Sequence, residues 1–339
     1  MLIGLSRYNG LCNAMSSNWI FWILFNLFVL AMLALDLGLF HRKKHEIELR
    51  EAIGWTLVWI TLAACSAGLI YFFGHSMVGG HAATGPQLSL EFVTGYLIEL
   101  SLSVDNLFVF LLIFRYFNVP RALQHQVLFW GVLGALVMRA IFIVAGITLL
   151  NRFHWFTYIF GAILVYGGFK LLRQKGTAIH PETNPVLRGF RRLFRVTDDY
   201  RDGRFFVQHG PLRYATPLAV VLLLVETTDL LFATDSIPAV LAVTRDPFIV
   251  YTSNVFAILG LRSFYFALSG MIEMFHFLHY GLALILVFIG VKMLASRYVD
   301  VPIAVALGVV VGVLTASIGL SLAFPRNDPS PSAGEADGC

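Results

Sequence analysis

Five carboxylates sit where a hydrophobic chain should carry none. Glu99 and Asp105 lie in the apolar run 88–114, within "IELSLSVDNLFVF", and Glu226, Asp229 and Asp235 lie in the run 215–243, within "ETTDLLFATDSIPAV". An ionised side chain at the centre of a bilayer costs about 2.5 to 3.5 kcal/mol on insertion scales, so these acids need partners. On an ideal helix Glu99, Ser103 and Asn106 share one face, as do Glu226 and Asp229. Asp105 follows Glu99 by six residues and falls about 120° away. Joint use of the two acids therefore calls for an unwound stretch or a second cavity wall. In the second run Pro238 removes a backbone donor and frees the carbonyl of Thr234, which makes "ATDSIPAV" a candidate helix break. Glu99, Asp105, Asn106, Glu226, Asp229, Asp235, Ser236 and the Thr234 carbonyl make an all-oxygen set. Such a set suits magnesium, calcium and manganese better than zinc or copper. The ten histidines agree, since all lie in loops or near the ends of apolar runs, and neither acidic run contains a cysteine.

A plainer reading has the acids neutralise Arg139 and Arg262, as buried ion pairs that hold helices in register. Five acids outnumber those two mid-span arginines, and the excess charge has to be balanced by protons or by an external cation. Lys170 and Lys292 lie nearer run ends, where they can snorkel to the surface. Asp36 is either an end-of-helix acid or a gate or proton step at the inner mouth. Glu91 reads as an interfacial residue on the outer side.

The elements that carry these residues follow from composition. With 58% hydrophobic and 13% charged residues, the chain falls in the integral membrane class. Nine apolar runs approach or exceed the length of about 20 residues that a helical span requires: 19–40, 52–73, 88–114, 127–150, 153–172, 215–243, 248–270, 277–294 and 301–324. Lipid offers no partner to open backbone groups, and the runs do not alternate as barrel strands do, so the expected fold is all-α with about nine transmembrane helices. Sixteen of the 24 basic residues fall on one side of that arrangement and four on the other. The positive-inside bias then sets the N-terminus outside and the C-terminus in the cytoplasm. No cleavable signal is expected at the N-terminus. Cys12, Cys65 and Cys339 are scattered without metal or disulfide spacing.

A repeat organises the spans. An acidic span, then "LGALVMRAIFIVAG", then "ILVYGGFKLL" is followed later by an acidic span, "LGLRSFYFALSG" and "LILVFIGVKML". The arginines Arg139 and Arg262 are 123 positions apart, and Lys170 and Lys292 are 122 apart. Three spans per copy make the second copy enter the membrane in the opposite sense, an inverted 3+3 repeat of the kind that builds a midplane site. The expected divisions are two N-terminal helices in 1–87, a first three-helix repeat in 88–172 and a basic cytoplasmic loop in 173–214. A second repeat in 215–295, a final helix in 296–324 and a disordered tail in 325–339 complete the chain. The loop is expected to be partly ordered at the membrane surface. It serves either as a solvated topology determinant or, through "RGFRRLFR" at 188–195, as a docking point for anionic lipid or a partner.

"ELSLSVDNLFVF", "ETTDLLFATDSIPAV" and "GVKML" together resemble the TerC family, named for tellurium-ion resistance, and the resemblance runs over most of the chain. It implies a multi-pass bacterial inner-membrane protein related to the LysE transporter superfamily, with members implicated in manganese efflux and in metal loading of exported enzymes. The family motif maps onto Glu99, Asp105, Asn106, Glu226, Asp229, Asp235 and Ser236. Tellurium oxyanions would be repelled by such a site. The expected function is export of a divalent cation, manganese foremost, by a secondary transporter with no bound cofactor and no nucleic-acid partner. The alternative is a metal-loading or assembly factor that works with the secretion machinery. Enzyme chemistry is not expected: no GxGD motif is present, and a lone span serine such as Ser269 usually packs helices.

Overall fold

The computed structural model describes residues 19–40, 49–77, 84–153, 155–173, 185–197, 199–200, 203–209, 212–269, 277–299 and 301–324. Its helices are α1 Trp19–Phe40, α2 Leu49–Met77, α3 Gly85–Tyr116, α4 Arg121–Arg152, α5 Phe156–Arg173, α6 Pro185–Leu193, α7 Pro217–Leu241, α8 Pro247–Ser269, α9 Leu278–Ala295 and α10 Ile303–Ala323. Eight of them, α2 to α5 and α7 to α10, are long and apolar enough to cross a bilayer, and Trp19–Leu35 in α1 is a shorter apolar helix. The body is thus a multi-pass helical bundle, with eight such spans among the described residues where nine were expected.

Turn chemistry sets the helix starts. Thr84 caps α3 by accepting from the Gln87 amide at 3.4 Å, one residue before the helix opens with Gly85 and Pro86. Asp246 caps α8, its Oδ1 accepting from the amides of Phe248 and Ile249 at 2.9 and 3.0 Å, with Pro247 as the first helical residue. The most enclosed helix is α8, packed by α2, α3 and α4, while α10 and α2 turn mostly outward. α7 lies against α3 and α4, and α5 pairs closely with α9. Glycine makes that last contact possible: a Cβ at Gly290 would stand 2.8 Å from the Gly161 carbonyl oxygen, and one at Gly168 would stand 2.8 Å from the Ala283 carbonyl.

The described residues between α5 and α7 include a helix and a small sheet. After α6 come β1 Arg195–Val196, β2 Phe206–His209 and β3 Leu212–Ala215, in sheet order β1-β3-β2. β1 runs parallel to β3 with Arg195 opposite Tyr214, and β2 runs antiparallel with Val207 opposite Tyr214. Leu187 is buried among the ends of α3, α4 and α7, with Phe190 packed beside it. The Tyr200 hydroxyl donates to the Phe117 carbonyl, and burial raises the pKa of that phenol. Gly203, at φ +85°, takes a backbone conformation that side chains avoid and sits against Leu123 and Gln126. Thr216 Oγ1 donates to the Arg204 carbonyl at 2.6 Å where the sheet feeds into α7.

Candidate functional site

Three helices bring polar side chains to one arginine on a fourth. Arg139 of α4 is 2% exposed and forms an ion pair with Glu99 of α3, which is fully buried. Its Nη2 lies 3.4 Å from Asp229 Oδ1 of α7, and its Nη1 donates to Ser236 Oγ at 3.2 Å and to Asn254 Oδ1 of α8 at 3.1 Å. Asp229 and Ser236 meet the same guanidinium because seven residues are two helical turns. On α3 the expected face of Glu99, Ser103 and Asn106 is buried throughout. The centre is incompletely bonded. Glu99 Oε2, Asp229 Oδ2, Ser103 Oγ, Asn106 Nδ2, Asn254 Nδ2 and Arg139 Nε are inaccessible and have no hydrogen-bond partner among the described residues. Unsatisfied groups in a low-dielectric interior are costly, so this is where a ligand or ordered water gains most.

The other acids stand apart from that centre. Glu226 is half-buried, its carboxylate against Gly134 of α4 in space that a Cβ there would fill. Asp235 is half-buried beside Gly167 of α5, with its carboxylate atoms 3.4 Å from the position of a Cβ, and it feels the charge of Lys170, itself exposed. Thr234 is exposed and turns its hydroxyl back onto the Leu231 carbonyl at 2.6 Å. Among the described residues no three His, Cys, Asp or Glu side chains gather as a ready metal cage. The side chains of Asp105 and Asp36 lie outside the described residues.

The expected unwinding is corrected. α7 continues through Pro238 to Leu241, and α3 runs unbroken from Gly85 to Tyr116 past both of its acids. Proline deletes one donor and leaves the rest of the ladder intact, and a bilayer favours keeping that ladder. Arg262 is buried and lines two small cavities of about 10 Å³ each, room for about one water. One of them is shared with Asp229, Gly131 and Ala135, the other with Trp59 and Met32. His125 stacks on Phe266 at 4.2 Å between ring centroids, and His279 meets the Leu171 carbonyl at 2.7 Å; both contacts are remote in sequence from the acidic motifs.

The profile of the integral membrane protein TerC family matches residues 84–328, which includes every element of this centre. The chain belongs to the TerC family. It is 49% identical over 313 residues to an uncharacterised membrane protein, STKORF319, of Myxococcus xanthus, covering 92% of this chain and 95% of the relative. An Escherichia coli K12 relative with the provisional name membrane-bound redox modulator Alx is 49% identical over 294 residues, 86% of this chain and 91% of that one. A Rickettsia bellii membrane protein is 36% identical over 301 residues, 89% and 96% of the two chains. No solved structure matches the chain.

Two features of this TerC protein escape a reading by charge. Asn254 joins the arginine centre, and its only signal is the polar triplet Thr252-Ser253-Asn254 in the run that also carries Arg262. Glu91 is buried within the protein: its Oε2 accepts from Thr244 Oγ1 at 2.6 Å and its Oε1 accepts from Gln87 Nε2 at 3.3 Å. Thr244 Oγ1 also accepts from the Asp246 amide at 3.2 Å, so this cluster pins the start of α3 to the start of α8.

Proposed function

We propose that the protein is a secondary exporter of a hard divalent cation, manganese foremost, in a bacterial inner membrane. One observation carries the reading. Glu99 from the first acidic span and Asp229 and Ser236 from the second converge on one buried point while carboxylate oxygens there remain unbonded. Coordination is drawn from the wider set Glu99, Asp105, Asn106, Glu226, Asp229, Asp235, Ser236 and the Thr234 carbonyl, oxygen donors throughout. The moving halves are 88–172 and 215–295, an inverted repeat with the N-terminus outside and the C-terminus in the cytoplasm. The packing supports that pairing: α3 lies on α8 as α4 lies on α7, and α3 with α7, α4 with α8 and α5 with α9 each join equivalent helices of the two segments. The cation enters from the cytoplasm, one half rearranges against the other, and protons or the membrane potential supply the drive.

Manganese uptake into everted vesicles tests this, with wild type set against Asp229→Asn and Asp235→Asn and with zinc, magnesium and calcium as competitors. Flux abolished by both substitutions in inserted protein is the expected result. A wild type that moves no cation ends the transport reading. A redox role, as named for the Escherichia coli relative, would call on redox-active side chains. Replacing Cys12, Cys65 and Cys339 by serine leaves manganese flux intact if transport is the function.

A metal-loading role alongside the secretion machinery has one observation in its favour. Arg188, Arg191, Arg192 and Arg195 are exposed on a structured platform rather than on a loose loop. Under that reading, substituting these four by glutamine stops delivery to a client and leaves flux unchanged. Because Phe190 between these arginines packs against the core, substitution is a cleaner test than deletion.

A further inference from the structure

Buried arginines that only hold helices together tend to end in saturated pairs, since every open valence in the interior is a loss. Arg139 is different. Its partners come from both three-helix segments, Glu99 from the first and Asp229, Ser236 and Asn254 from the second. On each of the two carboxylates one oxygen faces the guanidinium, and Glu99 Oε2 and Asp229 Oδ2 stay without hydrogen bonds although no solvent reaches them. Two negative charges therefore face one positive charge in a centre that is nearly closed to water. A divalent cation would neutralise both carboxylates. It cannot do so beside the guanidinium, because like charges a few ångströms apart repel strongly where water is excluded.

We propose that Arg139 is the resident counter-cation of the ion site. In the empty protein its guanidinium holds the carboxylates that the divalent cation takes over, and the two exchange places once per cycle. This role rests on the transport reading above and adds a step to it. An empty acid-lined centre would have to rearrange with its charges uncompensated. With Arg139 seated across Glu99 and Asp229, the empty protein returns with both halves tied through one side chain. Ser236 and Asn254 orient the guanidinium and set how firmly it competes.

The test separates binding, exchange and net flux. Manganese binding to the purified full chain is read from loss of the paramagnetic resonance signal of the aqueous ion. In proteoliposomes, manganese-for-manganese exchange needs only the loaded protein, whereas net export also needs the empty protein to return. Arg139→Gln removes the competitor, so manganese binds about tenfold tighter. Exchange persists while net export is lost, a split that a merely structural arginine does not produce. Weaker binding in folded Arg139→Gln, or equal loss of exchange and net export, overturns the proposal. If that variant does not insert, Asn254→Leu loosens the guanidinium without removing a carboxylate. It should tighten binding roughly threefold, and weaker binding there overturns the proposal as well. A wild type that neither binds nor exchanges manganese sinks the transport reading itself, an outcome distinct from failure in the variants alone.

Discussion

The two three-helix segments carry the same order of acidic span, arginine span and lysine span, yet their charged residues live in different surroundings. In the first, Glu99 is fully enclosed and locked to Arg139, whose other contacts all reach into the second segment. In the second, Glu226 is half-buried against Gly134 and makes no ion pair among the described residues, and Arg262 borders small cavities on two sides. The helices differ likewise, since α8 is enclosed over most of its length and α4 turns about half of its surface outward. A shared pattern therefore fixes which residue types are present but not how each is compensated. Compensation depends on which neighbour happens to offer space or charge.

That contrast can be broken at Glu99 first. Glu99→Ala takes one of its two carboxylates from buried Arg139 and leaves Asp229 as the other, with an expected loss of about 1.5 to 3 kcal/mol, whereas Glu226→Ala is expected to lose less than about 1 kcal/mol. Unfolding in mixed detergent micelles reads both, and equal losses would remove the distinction between the segments. Next come the glycines of α5 and α9. Gly290→Ala drives a methyl against the Gly161 carbonyl and is expected to lose about 1 to 3 kcal/mol. Gly167→Ala meets Asp235 only at ordinary contact distance and should change flux more than stability. If Gly290→Ala unfolds no earlier than wild type, the close α5–α9 contact is wrong.

Thr244→Val takes the hydroxyl away from buried Glu91, with an expected loss of about 1 to 3 kcal/mol. An unchanged midpoint would show Glu91 satisfied elsewhere. The smallest effect is expected at Thr234→Ala. Its hydroxyl only returns to its own helix at an exposed position, so stability should stay within about 0.5 kcal/mol and manganese flux should be unaltered. Loss of flux there would bring the Thr234 side chain into the site.

Charge and periodicity revealed much of this before any coordinates. The membrane class, most spans, the face of Glu99, Ser103 and Asn106, and a mid-span arginine in need of acids all follow from the cost of burying charge in lipid. What charge cannot reveal is a neutral partner. Asn254 and Thr244 act only through hydrogen bonds across helices, and nothing local to either marks the neighbour it will meet. The proline rule misled at Pro238 because a lost donor was equated with a lost helix. The sheet between α5 and α7 stayed hidden because strands of two to four residues in an arginine-rich stretch are too short to show an alternating pattern.

The approach of α5 to α9 has a mechanical consequence. At Gly161, Gly168 and Gly290 each helix lies against the backbone of the other, with the side chains of Val165, Val287 and Leu294 wedged beside the contact. A shear at that seam would drive carbonyls into one another, so displacement there is held near zero and must grow with distance from it. Under the proposed transport cycle the pair would work as a fulcrum. Asp235 of α7, beside Gly167, lies close to that seam, so in that cycle a tilt about it would move Asp235 less than the parts of α7 farther away.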